Sequence, residues 1–183
     1  MTKNNIKKVL IDADVLSHFI ANNKLDLLPI ILDEYDCIIL DYVYNEIARV
    51  NMRKLFLDSE IKKGKIEKIC FPTDNVEMIK EFALIKKNNK LIGGGERACM
   101  AYARSSKDII ASSNFRDIAK YCKENRIEFI GFLDILLIAL SKEILTVIQC
   151  NEFMKNAVLY NKARIPEGVK TIIDYQIYKS KQK

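Results

Sequence analysis

The stretch "KKVLIDADVL" at residues 7–16 joins an apolar run to two acids, Asp12 and Asp14, which stand two residues apart. The apolar run is typical of a buried strand, and helical spacing begins directly after it. An acid at this junction can cap the following helix, or it can form one wall of a metal site. Which role applies depends on where the other acids of the chain fall.

The same alternation of strand and helix continues along the chain. Apolar strands separated by helical crossovers predict a parallel sheet covered on both faces, with functional groups at the carboxyl ends of its strands. The predicted fold is therefore α/β, with three α/β/α layers around a central parallel sheet of four to five strands. After the first strand, the other predicted strands are "DCIIL" (36–40), "KIEKICF" (65–71), "KDIIAS" (107–112) and "IEFI" (127–130).

The chain shows no composition break or internal repeat that would mark a second domain. We predict one α/β domain over residues 1–145 and a helical extension over 146–183 that packs on it. Helical spacing predicts one continuous helix over 42–63 and a helix near 73–87 that is capped by Thr73. Three helical segments are predicted to close the chain, at 132–143, 150–163 and 166–179.

The amino-acid composition limits which kinds of functional site and binding partner the protein can have. With 30 Lys and Arg against 24 Asp and Glu, the net charge is +6, which favours a polyanionic partner such as RNA and equally fits lysines that keep a protein soluble. A single histidine, His18, excludes most histidine-based metal sites and hydrolytic triads. The five scattered cysteines are interpreted as reduced core thiols. Apolar runs are too short to span a bilayer and no secretion signal is evident, so we expect a cytoplasmic protein without membrane contact.

Four acids lie at or near predicted strand ends or helix starts: Asp12, Glu46, Glu96 and Asp117. Each alone is explained as a helix cap, a favourable charge at a helix N-terminus or a solvent-facing residue. Two carboxylates about 5 Å apart repel by on the order of 3 kcal/mol at an effective dielectric near 20, so a cluster of four needs a compensating cation. Oxygen ligands without histidine or cysteine favour Mg²⁺ or Mn²⁺ over Zn²⁺.

The order of motifs resembles that of PIN-domain ribonucleases, in particular the VapC-like toxins of toxin–antitoxin pairs and their uncharacterised bacterial relatives. The resemblance covers residues 6–145, and its specificity comes from the order and strand context of motifs that are individually weak. The matching stretches are "LIDADVL" (10–16), "VYNEI" (43–47), "GGGERACMAYA" (93–103) and "IIASSNFRDI" (109–118).

This resemblance implies a PIN fold with Asp12, Glu46, Glu96 and Asp117 as catalytic acids. It implies a site for Mg²⁺ or Mn²⁺, with Asp12, Glu96 and Asp117 as the ligands, and single-stranded or structured RNA as substrate. Relatives are frequently dimers, and a toxin would pair with an antitoxin protein, so a homodimer and an antitoxin partner are expected.

Several neighbours of these acids have a supporting role in this interpretation. Asp14 is either an acid behind Asp12 or the N-cap of the first helix, and Ser112 is placed to hold Asp12 by a hydrogen bond. Asn114 stands where many members of the family have Asp, and it can orient a water or an acid while adding no negative charge. Weaker candidates for RNA contact are Arg49, Arg97 and Phe115.

The sequence thus predicts a metal-dependent endoribonuclease with a four-carboxylate site. Two alternatives remain open. The neutral Asn114 favours a PIN-like module with weak catalysis that binds RNA or a protein, and a DNA-directed nuclease would use the same site. The glycine run at 93–95 lacks the lysine and hydroxyl of a P-loop, so we interpret it as a flexible lead-in to a helix.

Overall fold

A parallel sheet of five strands lies at the centre of the computed structural model, which describes residues 7–182. The strand order is β3-β2-β1-β4-β5, so β1 occupies the middle of the sheet. All four strand pairs are parallel, which confirms the α/β prediction. The strands are β1 (Lys8–Ile11), β2 (Asp36–Leu40), β3 (Glu67–Ile69), β4 (Ile109–Ala111) and β5 (Phe129–Ile130).

Helices cover both faces of this sheet and give the predicted three-layer α/β/α arrangement. Within residues 7–182 there are ten α-helices, and a 3-10 turn at Leu25–Leu27 precedes the second of them. They are α1 (Ala13–Ala21), α2 (Leu28–Ile31), α3 (Asp41–Ile47), α4 (Asn51–Lys62), α5 (Val76–Asn88), α6 (Gly94–Ser106), α7 (Asp117–Asn125), α8 (Phe132–Ser141), α9 (Val147–Asn161) and α10 (Ile172–Ser180).

The three central strands are buried along their apolar runs, as expected for a sheet that is covered on both faces. Val9, Leu10 and Ile11 of β1 are fully buried, as are Ile38–Leu40 of β2 and Ile109–Ala111 of β4. This burial explains why the sequences of these strands are continuous apolar runs, in which apolar and polar residues do not alternate. No helix within residues 7–182 is both long and apolar enough to span a membrane.

The helices of the C-terminal extension share the core of the sheet domain. Helix α9 packs on α1 and α8, with the ring of Phe153 at 4.8 Å from that of Phe19. Helix α10 packs on α8 and α9, and the Tyr175 hydroxyl donates a hydrogen bond to Asp134 Oδ1 at 2.9 Å. The extension is therefore continuous with the core, while a domain boundary at residue 145 stays a prediction.

The structure corrects several helix boundaries. The prediction of one continuous helix over 42–63 is wrong, because residues 48–50 are not helical and separate α3 from α4. Helix α9 begins three residues earlier than predicted, at a capping box in which Thr146 and Gln149 bond each other's backbone N–H groups. Helix α10 begins at Ile172 instead of 166, since Gly168 has a φ of +79° and no helix passes through it.

Two further sequence interpretations need correction. The N-cap of α5 is Asn75 and not Thr73, because the Asn75 side chain accepts hydrogen bonds from the N–H groups of Glu77 and Met78. The cysteines are all free thiols, as interpreted, but Cys70 is exposed while the other four are buried.

Candidate metal centre

Asp12 and Ser112 meet at the carboxyl edge of the sheet because β1 and β4 are neighbouring parallel strands. The Asp12 N–H extends the ladder by bonding the Ala111 carbonyl at 2.9 Å. The Ser112 hydroxyl donates to Asp12 Oδ2 at 2.9 Å, and both side chains are buried. The predicted hydrogen bond between Ser112 and Asp12 is therefore present.

Asp12 also begins the first helix. Its Oδ1 accepts a hydrogen bond from the Ala13 N–H at 2.7 Å, and its backbone has the extended conformation of an N-cap. The interpretation of Asp14 as the N-cap is therefore wrong, and Asp14 instead lies in the first turn of α1. One carboxylate thus serves as a helix cap and as a wall of the site.

Three carboxylates converge at this edge. Oxygen atoms of Asp12, Asp14 and Glu96 all lie within 4.8 Å of one another, with Asp12 buried, Glu96 half-buried and Asp14 exposed. No Lys or Arg among residues 7–182 forms a salt bridge with any of these three acids. The sequence interpretation gave Asp14 a supporting role, whereas the geometry places it directly in the acid group.

Asn114 links the acids to one another through its amide. Its Nδ2 donates to Glu96 Oε1 at 2.9 Å and lies 3.5 Å from Asp117 Oδ2, while its Oδ1 accepts from the Asp117 N–H at 3.1 Å. The Asn114 N–H in turn donates to Ser112 Oγ. Asn114 thereby positions two acids at once, and an aspartate at this place would face Glu96 as a like charge.

Glu46 stands beside the three-acid group. Its Oε1 accepts a hydrogen bond from the Gly95 N–H at 2.8 Å, at the N-terminus of α6. A Cβ at Gly95 would lie 3.1 Å from Glu46 Oε2 and 3.1 Å from Val43, so the glycine lets this carboxylate approach the helix. The glycine run is therefore the N-cap and first turn of α6, so it lies at the start of this helix, as interpreted from the sequence.

Glu96 is held at the same helix end, because its Oε2 accepts from the Gly93 N–H at 2.9 Å. Asp117 lies at the start of α7 and also accepts from the Asn89 side chain at 3.3 Å. Neither Glu46 nor Asp117 shares the three-acid group. Asn89 is the contact that the sequence reasoning missed, and nothing in its local sequence distinguishes it from an ordinary helix C-cap.

The acids carry an electrostatic strain that a cation would relieve. Burial raises the pKa of Asp12 well above its usual range, and the charges of Asp14 and Glu96 raise it further. The pKa of Asp14 is raised as well, first by desolvation and then by the charges of Glu96 and Glu46. Because the cause includes like charges that lack a paired cation, a hard divalent ion with oxygen ligands fits this donor set.

The direction of these pKa shifts determines how the stability of the metal-free protein changes with pH. A carboxyl group whose pKa is raised on folding binds its proton more tightly in the folded state. Its contribution to stability is complete below the unfolded pKa and is lost as the pH rises through the folded pKa. A bound cation competes with that proton, so metal affinity should rise over the same pH interval.

We expect Mn²⁺ to raise the unfolding midpoint of the wild-type protein near neutral pH. An ion at about a hundred times its Kd stabilises by about 2.7 kcal/mol, which corresponds to about 5–10 °C for a chain of this size. In Asp14→Asn, the metal-free midpoint should equal or exceed that of the wild type, because a repelling charge is removed. The Mn²⁺-induced increase should fall to less than about half. Calorimetry with and without Mn²⁺ measures both quantities.

The matched control is Glu34→Gln, at an exposed acid just before β2 and hence at the opposite edge of the sheet. It should retain the full response to Mn²⁺. An equal response in Asp14→Asn and the control would show that Asp14 does not contribute to ion binding.

The weaker candidates for RNA contact differ in their surroundings. Arg49 is exposed after α3, whereas Arg97 is half-buried, with Nη1 bonded to the Ile92 carbonyl and its guanidinium 4.9 Å from the centre of the Phe82 ring. Phe115 is half-buried against the Phe129 ring at 5.4 Å. A contact of these residues with RNA stays a prediction.

Comparison with protein families gives one assignment. A family model described as a PIN domain matches residues 8–172, which is most of the chain and extends into α10. No match was found among curated proteins.

Proposed function

The chain belongs to the PIN-domain family, and from this membership and the acid group we propose that it is a metal-dependent endoribonuclease. PIN domains are typically metal-dependent nucleases, and the match over residues 8–172 supports nuclease activity for this chain. The choice of RNA as substrate is our proposal. It is supported by the resemblance of the motifs to those of VapC-like toxins and by the net charge of +6.

The observation that carries the proposal is the convergence of Asp12, Asp14 and Glu96 within 4.8 Å. These acids come from two helix starts, and the sheet edge brings them together. We propose Asp12, Glu96 and Asp117 as ligands of Mg²⁺ or Mn²⁺, as the resemblance implies, and we add Asp14 on the basis of its position. Such an ion lowers the pKa of water and neutralises charge that develops on a phosphodiester.

The remaining polar residues have positioning roles in this proposal. Ser112 holds Asp12 in a fixed rotamer by its 2.9 Å hydrogen bond, and Asn114 holds Glu96 and Asp117. Glu46 is fixed at the N-terminus of α6, where the Gly95 N–H donates to its Oε1. Asp12, Glu46, Glu96 and Asp117 are thereby preorganised, because each of these carboxylates accepts at least one hydrogen bond that fixes its direction.

The direct test compares RNA and DNA substrates of the same sequence with Mn²⁺, with Mg²⁺ and with a chelator. We expect cleavage of RNA with either ion, much weaker cleavage of DNA, and none with the chelator. Equal cleavage of DNA would contradict the choice of RNA as substrate, but the proposed metal site would remain supported. Absence of cleavage on structured and unstructured RNA alike would contradict the nuclease proposal.

The second candidate is a weakly catalytic PIN-like module that binds RNA or protein, and the neutral Asn114 is the observation that favours it. Calorimetric titration with Mn²⁺ separates the two, because a binding module has no need to bind the ion. From the resemblance we also propose a toxin role in the cytoplasm, with an antitoxin partner and a homodimer as the assembly. Co-expression with the product of an adjacent gene and measurement of mass in solution test those points.

A further inference from the structure

Two residues that line one cavity beside the acid group, His18 and Ser113, carry buried polar atoms that have no hydrogen-bond partner among residues 7–182. These atoms are Nδ1 and Nε2 of His18 and Oγ of Ser113. His18 is 2% exposed, and burial together with the charge of Arg53 lowers its pKa to about 4, so its imidazole is neutral near pH 7. A buried polar group without a partner is costly, and a bound ligand with donors and acceptors relieves that cost.

This cavity, which we name the inner cavity, has a volume of about 460 Å³ and shares Asp14 with the acid group. Asp14, Asn114 and Asp117 line one side of it, and Arg116, Lys162 and Arg164 contribute cationic side chains. The volume falls within the range of about 300–1,000 Å³ that is common for small-molecule sites. Its wall therefore offers cations for phosphate and neutral polar groups for hydroxyls or base edges.

A second cavity of about 370 Å³, the outer cavity, adjoins the first one because Phe115 and Arg164 line both. Four of its ten lining residues are aromatic, namely Phe115, Phe129, Tyr175 and Tyr178, and Lys179 lies beside them in a salt bridge with Asp134. Aromatic rings next to cations are the surroundings in which unpaired bases stack. Together the two cavities form a groove that leads away from the acids.

The C-terminal extension supplies one wall of this groove, and that wall is anchored at both ends. At the end of α9, Asn161 Nδ2 donates to the Ser17 carbonyl at 3.0 Å, and its Oδ1 accepts from Arg53. Lys162 follows in a left-handed conformation with a φ of 54°, and residues 161–164 line the inner cavity. Helix α10 is fixed by the bond between Tyr175 and Asp134.

We infer that this groove binds a single strand of nucleic acid next to the phosphodiester that the acids cleave. The inner cavity takes the sugar and phosphate of the adjoining nucleotide, with Arg164 on the phosphate and with His18 and Ser113 on polar groups of the nucleotide. The outer cavity takes an unpaired base against Tyr178 and Phe115. The extension is thus a substrate-binding element, and this inference deepens the proposed function and rests on it.

The test measures binding in a chelator, so that it does not depend on cleavage. The probe is a fluorescent single-stranded RNA of about 12 nucleotides, a length matched to typical single-strand sites. Arg164→Ala should weaken binding about tenfold and lower the slope of log affinity against log salt by about 0.7, as expected for one lost phosphate contact. Lys123→Ala, at an exposed cation in the last turn of α7, is the control and should leave the affinity near that of the wild type.

A second pair of variants tests the base contact. Tyr178→Leu should weaken binding about tenfold, whereas Tyr178→Phe should retain it, because stacking needs the ring and not the hydroxyl. A duplex of the same sequence should bind less tightly and should not respond to Tyr178→Leu. In cleavage assays, Arg164→Ala should raise KM with little change in kcat.

Different results would contradict the proposed binding groove and the proposed nuclease activity. If the wild type binds the RNA and Arg164→Ala matches Lys123→Ala, the groove is wrong while cleavage by the acids stands. If the wild type binds no single strand, the groove is also wrong, and a protein ligand for this surface becomes the better hypothesis. If binding is lost in Arg164→Ala but the wild type cleaves nothing, the groove stands and the nuclease proposal falls.

Discussion

Replacement of Asp12 by Asn is expected to reduce Mn²⁺-dependent cleavage of RNA by more than about a hundredfold. Loss of a group that merely orients a metal ligand commonly costs about 10–100-fold, and Asp12 is proposed as a ligand itself. The fold should survive, because the amide oxygen of Asn can accept from the Ala13 N–H while its amide donates to Ser112 Oγ. Initial rates measured with saturating Mn²⁺, alongside thermal unfolding, check both parts.

The matched control is Asp108→Asn. Asp108 precedes β4 at the amino edge of the sheet and accepts from the Lys8 N–H at 3.3 Å, so it also supports a strand end by a backbone hydrogen bond. Its replacement should leave cleavage unchanged. Glu96→Gln is expected to disturb local hydrogen bonds as well as metal binding. Both Glu96 oxygens accept hydrogen bonds, from Gly93 and Asn114, and an amide can accept only one of the two. Wild-type rates in both Asp12→Asn and Glu96→Gln would refute the assignment.

Phe153→Ala should lower the free energy of unfolding of the entire chain by about 3–5 kcal/mol, the usual cost of removing a buried aromatic ring. Phe153 is fully buried in α9 and packs edge-on against Phe19 of α1. For a chain of this size the loss corresponds to a fall of about 6–20 °C in the unfolding midpoint. Calorimetry should show a single transition, because α1 and α9 share one core.

Ile148→Ala on the same helix is the control, since Ile148 is 79% exposed and its truncation should change stability by no more than about 0.5 kcal/mol. Two separate transitions, with only one of them shifted by Phe153→Ala, would instead show that the extension unfolds independently of the sheet. That result would support a domain boundary near residue 145.

The strand pattern predicted much of the fold and the place of the site. Apolar runs that end in Asp12 and in Ser112 are recognisable without coordinates, and the rule that function lies at carboxyl strand ends then places both at one edge. The capping box of Thr146 and Gln149 is equally readable, and it marks the true start of α9. Local signals of this kind suffice where a few neighbouring residues determine the outcome.

Other features depend on contacts that local sequence does not encode. The membership of Asp14 in the acid group follows from how α1 leaves the sheet, and the bridge from Asn114 to Glu96 joins the loop after β4 to α6. The break between α3 and α4 carries no glycine or proline. Propensity is overridden there by packing, because Ile47 of α3 and Leu57 of α4 are both buried in the core on either side of the break.

The central strand of the sheet, β1, precedes the other four strands along the chain. The Ser112 hydroxyl that holds Asp12 is separated from it by 100 residues. A nascent chain that ends before β4 has neither this bond nor the link from Asn114 to Glu96. The acids therefore come into register only after β4 and the loop behind it have been synthesised, and a product that ends before β4 would lack the assembled centre.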